Sequence, residues 1–215
     1  MKNVILIGAG GHARSVVDSA DPDIFNICGF VDDYKEGTYI GLPILGNRIE
    51  DVPDYRSYGY LVAIGNCGVR RKWYKKIKEL DLELVNIIDR TALISPTVTL
   101  GEGNFIGKYV VINAGSVIGN NNLINTKALV EHECRVYNHT NLSTNSTING
   151  DVVVEDGVFL GSCALCNGQL RLGENCLVGS GSVVIRDVRA GEVVAGVPAH
   201  RIHSYVDDEC GVLCR

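Results

Sequence analysis

No stretch of this sequence approaches the roughly 18 consecutive apolar residues that span a bilayer, which argues against a membrane partner. The start also lacks the build of a secretory leader: the apolar run is only Val4 to Ile7, and glycines follow at once. Positive charge is scarce. Lys and Arg number 20 against 25 Asp and Glu, a formal net charge of −5. A general polyanion binder needs a patch of cations to displace counterions, so nucleic acid is not an expected partner. Without leader or span, the expected location is the cytoplasm, where the eight cysteines would stay reduced thiols. Two of their spacings, Cys163 with Cys166 and Cys210 with Cys214, invite a metal reading. A structural zinc site wants four soft ligands, however, and buried cysteine more commonly acts as a small apolar filler. No metal is expected. With 215 residues, 46% of them hydrophobic and 21% charged, the chain can build one sizeable core or two modest ones.

What the sequence does hold is a rhythm of six. Ile94, Leu100, Ile106, Ile112, Ile118, Ile124, Val130, Val136, Leu142, Ile148, Val154, Leu160, Cys166, Leu172, Val178 and Val184 recur at that spacing, all aliphatic except Cys166. Four residues after nearly every one comes a small or β-branched side chain, as at Val98, Val110, Ser116, Ala128, Cys134, Thr140 and Ser146. The residue directly after is often Gly or Asn, as at Gly101, Gly107, Asn113, Gly119, Gly161 and Gly173. Such residues suit a tight bend with φ near or above zero. A period of six fits neither a helix nor an unbroken alternating strand. It fits short strands joined by turns, coiled so that each strand stacks on the one a full circuit earlier. The pattern resembles the hexapeptide-repeat acyltransferases. That resemblance implies an all-β domain, a left-handed parallel β-helix of triangular section with three hexads per coil, here about five coils.

The first ninety residues read differently. Residues 3–7 form a buried strand, GAGGHA opens a helix, Phe25–Val31 is a second strand ending at Asp32 and Asp33, and Tyr60–Ile64 is a third. A turn at Gly65 and Asn66 leads into a basic helix from about Val69 to Leu80. Strands alternating with helices indicate parallel βαβ units, hence a small α/β, Rossmann-like domain. Gly8, Gly10 and Ala13 match the G-x-G-x-x-A fingerprint, with Asp32 at about the expected distance. Glycines there let phosphate approach backbone amides at a helix N-terminus. The expected division is residues 1–90 for nucleotide-sugar binding, 91–202 for the β-helix and 203–215 for a tail.

The combination of GAGGHARSVVD, FVDD, INTKALVEHE and VAGVPAHRI resembles the sialic acid O-acetyltransferase family. Its close relatives are the N-acetyltransferases of nucleotide-linked 4-amino-4,6-dideoxy sugars, such as the bacillosamine precursor. The similarity runs from about Lys2 to Ile202. It implies an acetyl-CoA-dependent sugar acetyltransferase, trimeric, with a nucleotide sugar held by Gly10, Gly11, His12, Asp32 and Asp33, and with Asn125 also lining the pocket. His132, within Glu131-His132-Glu133, is implied as the catalytic base. Acetyl transfer requires the acceptor to lose a proton as it attacks the thioester, and imidazole is the side chain best matched to take it near pH 7. Of the flanking carboxylates Glu133 is favoured to orient the ring. Cofactor contacts are implied at Gly150, whose amide is a candidate oxyanion donor, and at Ser162, Ser180 and Arg201. Asn141 stands where relatives carry a second histidine, and His200 where they carry the lysine of GVPAK, which leaves Arg201 for the cofactor phosphates.

N-acetylation of an amino sugar is the leading expectation and O-acetylation of a sialic acid or related hydroxyl the alternative, since both can use the same histidine. A non-catalytic scaffold is the third reading, and the E-H-E turn argues against it. A solenoid with flat, half-apolar faces also tends to associate.

Overall fold

The computed structural model describes residues 1–204, which form two units with a shared core. The first comprises β1 (Lys2–Ile7), α1 (Gly11–Ser19), β2 (Phe25–Val31), β3 (Thr38–Tyr39), β4 (Leu42–Gly46), β5 (Gly59–Val62), α2 (Cys67–Glu79) and β6 (Glu83–Leu84). These strands make a six-stranded sheet in the order β3-β4-β2-β1-β5-β6, parallel except for the β3–β4 hairpin. Val4 to Ile7 are wholly buried, as befits the central strand of a parallel sheet covered on both faces. α2 starts two residues ahead of Val69 because the Asn66 side chain accepts the Val69 N–H at 3.0 Å and so caps it. The hairpin has no sequence signature. Its turn residues Ile40 and Gly41 both take positive φ, 46° and 83°, and a β-branched residue is a poor marker for such a turn.

The second unit contains seventeen two-residue strands, from Ile87–Ile88 to Val183–Val184, followed by strands Glu192–Ala195 and His200–Ser204. Each short strand up to Leu165–Cys166 pairs in parallel with the one eighteen residues on, as Phe105–Ile106 does with Leu123–Ile124. The result is a left-handed parallel β-helix with three faces. The first face holds the strands starting at Ile87, Phe105, Leu123, Asn141, Phe159 and Leu177. The second holds Leu93, Val111, Leu129, Thr147, Leu165 and Val183; the third holds Thr99, Val117, Arg135, Val153 and Arg171. Ile88 fits the hexad series one step ahead of Ile94, so the β-helix opens within the stretch assigned to the first domain. Five coils are complete, and a sixth has two faces.

The second residue of each strand points inward, and from Ile106 to Val184 none is more than 2% exposed. Cys166 fills one of these core positions, where burial pushes its thiol up to about 12, whereas Cys163 is exposed. Cys210 and Cys214 lie outside the described residues, as does the expected tail from residue 205. One expectation about the turns is corrected. The residue after each aliphatic position does not take positive φ; the left-handed residue falls two positions later, as at Gly103, Tyr109, Gly115, Asn121, Lys127 and Glu133, and so on to Gly181. Glycine is needed at the earlier position by close approach of the next coil instead. A Cβ on Gly119 would stand 2.7 Å from the Tyr137 carbonyl oxygen, and one on Gly161 would stand 2.5 Å from the Ser180 nitrogen.

The first face is where the units join. The outward side chains Ile87, Phe105 and Leu123 share an apolar cluster with Val4, Leu6, Ala13 and Val16. Fully burying one such side chain is worth about 1.5–3 kcal/mol. On one flank the Lys108 ammonium donates to buried Asp89 at 2.9 Å and to the Asp18 carbonyl at 3.3 Å. On the other, the basic α2 meets acidic corners of the β-helix: Lys78 pairs with Glu102 at 2.7 Å, and Arg71 lies 3.9 Å from both Asp156 and Glu174. Much of that helix's charge is therefore matched within the chain.

Candidate active site

The carboxyl ends of β1, β2 and β5 converge on a cavity of about 260 Å³. Its walls include Gly8, Gly10, Gly11 and His12 after β1, Asp32, Asp33 and Tyr34 after β2, and Ile64 and Gly65 after β5. This is the crevice where open α/β sheets hold ligands, with α1 starting at its edge. The two aspartates differ. Asp32 accepts the Ala9 N–H at 2.7 Å on one oxygen and the Tyr34 and Lys35 N–H groups at 3.0 Å on the other. It therefore shapes the turn. Asp33 is exposed at the rim. The His12 ring stands edge-on to Phe105 of the β-helix, centroids 5.0 Å apart. Burial, with the nearby Arg70 charge, pushes its pKa down to about 4, and its Nε2 is buried with no partner among the described residues.

His132 sits in the turn between the second and third faces rather than on a strand. The ring stays 60% exposed and its Nδ1 is 3.3 Å from Glu133 Oε2. Glu131 is engaged elsewhere, accepting from the Asn113 side chain at 3.0 Å. Glu133 takes the left-handed position of its turn, φ 59°. One coil on, Gly150 lies against the imidazole: a Cβ there would stand 2.5 Å from Cε1 and 2.6 Å from Nε2. The ring thus occupies the space that any side chain at 150 would fill, and the Gly150 N–H has no acceptor among the described residues.

Three more of the expected residues lie at the other edge of the second face. Asn125, Ser162 and Ser180 all occupy turns between the first and second faces. The Asn125 side chain accepts the Thr126 N–H at 2.8 Å. Ser162 and Ser180 stack on adjacent coils, joined by a Gly181 N–H bond to the Ser162 carbonyl at 2.8 Å. Arg201 belongs to the strand that pairs with Glu192–Ala195 at the top of the first face, its Nε 3.9 Å from Glu192. Asn141 is buried on the first face, and its Oδ1 has no partner among the described residues. Within one chain, then, His132, Glu133 and Gly150 come together, and so do the five residues of the α/β cavity. Asn125, Ser162 and Ser180 stand apart from His132 across one face.

Perosamine N-acetyltransferase from Caulobacter crescentus is similar over nearly all of both chains. A variant with one histidine replaced by asparagine, crystallised with CoA and GDP-perosamine, is 32% identical, covering 95% of this chain and 98% of that one at a TM-score of 0.87. The chain belongs to the family of perosamine-type sugar N-acetyltransferases. The acetyltransferase domain of PglB from Neisseria gonorrhoeae, in complex with acetyl coenzyme A, is 27% identical over 94% of this chain and 99% of that one, TM-score 0.89. The family described as PglD N-terminal domain matches residues 3–77. Protein L142 of Acanthamoeba polyphaga mimivirus is 36% identical over 107 residues, 49% of this chain and 21% of that protein. The chain thus matches about a fifth of that curated relative's length.

In this family member several cavity residues carry no motif that marks them. Tyr34, Ile64, Gly65, Val69 and Trp73 line it without having been singled out. Gly65 was legible in principle, because the turn after a neighbouring parallel strand opens on the same edge as the fingerprint turn.

Proposed function

We propose that this chain transfers the acetyl group of acetyl-CoA to the amine of a nucleotide-linked 4-amino-4,6-dideoxy sugar, with His132 as general base. The observation that carries the reading is the exposed imidazole seated on Gly150 with Glu133 at its Nδ1. His132 would take the proton of the attacking amine, and Glu133 would steady the imidazolium that results. The outward N–H of Gly150 would stabilise the developing oxyanion. The α/β cavity would hold the nucleotide, with phosphates against Gly10, Gly11 and the unpartnered His12 Nε2, and with Asp33 accepting from ribose or base.

The distribution of site residues favours a homotrimer. The second face carries Leu93, Val111, Leu129, Leu165 and Val183 pointing outward, and Leu93 is 68% exposed. Three prisms that turn this face to a common axis bring the His132 edge of one chain beside the Asn125 edge of the next. Asn125 and His132 lie on the same coil. Ser162 and Ser180 then continue up the groove at about 4.8 Å per coil, toward Arg201 for the cofactor phosphates. The reading also places the reaction in the cytoplasm.

The direct test is incubation with acetyl-CoA and a panel of UDP-, GDP- and dTDP-linked amino sugars while following free CoA thiol. Acceptor-dependent thiol release is expected with at least one 4-amino sugar. Release that ignores every sugar, or none at all, contradicts the proposal.

A further inference from the structure

Arg70 is 2% exposed, among the largest fully buried side chains of the protein. Its Nη1 donates to the Ile64 and Gly65 carbonyls at 3.1 and 3.0 Å. Its Nε reaches the Asn121 carbonyl at 3.1 Å, and its Nη2 reaches those of His139 and Thr140 at 3.1 and 2.8 Å. One guanidinium therefore fastens a wall of the α/β cavity to the corner of the β-helix. Every oxygen it meets is a neutral carbonyl, and among the described residues no carboxylate forms an ion pair with it. A buried cation without a counter-charge is costly. The cavity adjoins the guanidinium through Ile64 and Gly65, which line it and whose carbonyls Arg70 holds, so a charge bound there would face it across that wall.

We propose that Arg70 is a positioning residue for the nucleotide diphosphate: through the Ile64–Gly65 wall its charge is balanced by the bound phosphates, and its hydrogen bonds fix that wall against the β-helix. The inference rests on the reading of the cavity as the nucleotide site. It separates Arg70 from a plain structural tie, because a tie would serve any ligand, whereas a fixed charge favours the phosphorylated one. His12, which lines the cavity, has its pKa lowered by burial and by the Arg70 charge. It cannot supply the missing charge.

The test uses the full chain and calorimetric titration with UDP, GDP and dTDP, and with the corresponding nucleosides by displacement. For whichever diphosphate binds the wild type, Arg70→Gln is expected to weaken the diphosphate about tenfold or more and to leave the nucleoside essentially unchanged. Arg70→Lys, which keeps the charge, should recover most of the loss. Equal weakening of nucleoside and diphosphate, or weakening of neither, overturns the inference. Should both variants fail to fold, hydrogen exchange on the wild type decides. Added diphosphate, but not nucleoside, should slow exchange at residues 64–66 and 139–141, and unchanged exchange at 139–141 overturns the inference. If none of the three diphosphates binds the wild type, the cavity reading itself fails and takes this inference with it.

Discussion

A single absent side chain shapes the proposed reacting end of this protein. Gly150 is required because the His132 imidazole lies where its Cβ would be. Gly150→Ala should displace the ring, lowering kcat at least about tenfold by analogy with small misplacements of catalytic groups, while circular dichroism stays that of the wild type. Unchanged kcat would show that the stacking is incidental. At this scale the E-H-E motif was enough to single out His132, but its setting was not readable. The motif does not say whether the histidine falls on a strand or in a turn, and the left-handed residue of each turn, Glu133 here, appears only in the backbone. Gly150 under the ring was recoverable, since residues eighteen apart stack in a coil of three hexads. The saturation of Asp32 by three N–H groups was not, because neighbouring aspartates look alike in sequence.

Among elements, the seam between α1 and the first coil hangs on one buried carboxylate. Burial alone would raise the pKa of Asp89, but bonds from Lys108 and Thr91 outweigh it and hold the carboxyl well below the usual range. A group depressed in the folded state contributes stability above its unfolded pKa of about 3.9 and loses it as pH falls through the folded value. Lys108→Met leaves Asp89 short of its cation. It should destabilise the protein by about 1–3 kcal/mol at pH 7, and by progressively less as pH falls below about 4, in denaturant titrations at several pH values. A penalty independent of pH would contradict this account of the seam. The hexads were legible because each inward position must be apolar in a core one side chain wide. The β3–β4 hairpin was not, since Ile40 and Pro43 give no turn or strand signal of the usual kind.

For the molecule as a whole, the separation of His132 from Asn125, Ser162 and Ser180 is the fact to be explained. Periodicity predicts which residues share a coil, yet it does not say which edge of the prism each turn occupies, and it is silent on neighbouring chains. The proposed trimer, closing around the second face, would reunite the two edges. Leu165→Asp puts a charge on the fifth of that face's six strands and should give a monomer by light scattering, with acetyl transfer lost and the β-helix spectrum retained. An active monomer would contradict the intersubunit site.

The central claim is tested most directly by the turnover of His132→Ala with acetyl-CoA and its amino-sugar acceptor. With the ring exposed and outside every core cluster, the variant should keep its thermal midpoint and its affinity for acetyl-CoA, while kcat falls by about 10² to 10⁴. A kcat close to that of the wild type would mean that another group takes the proton.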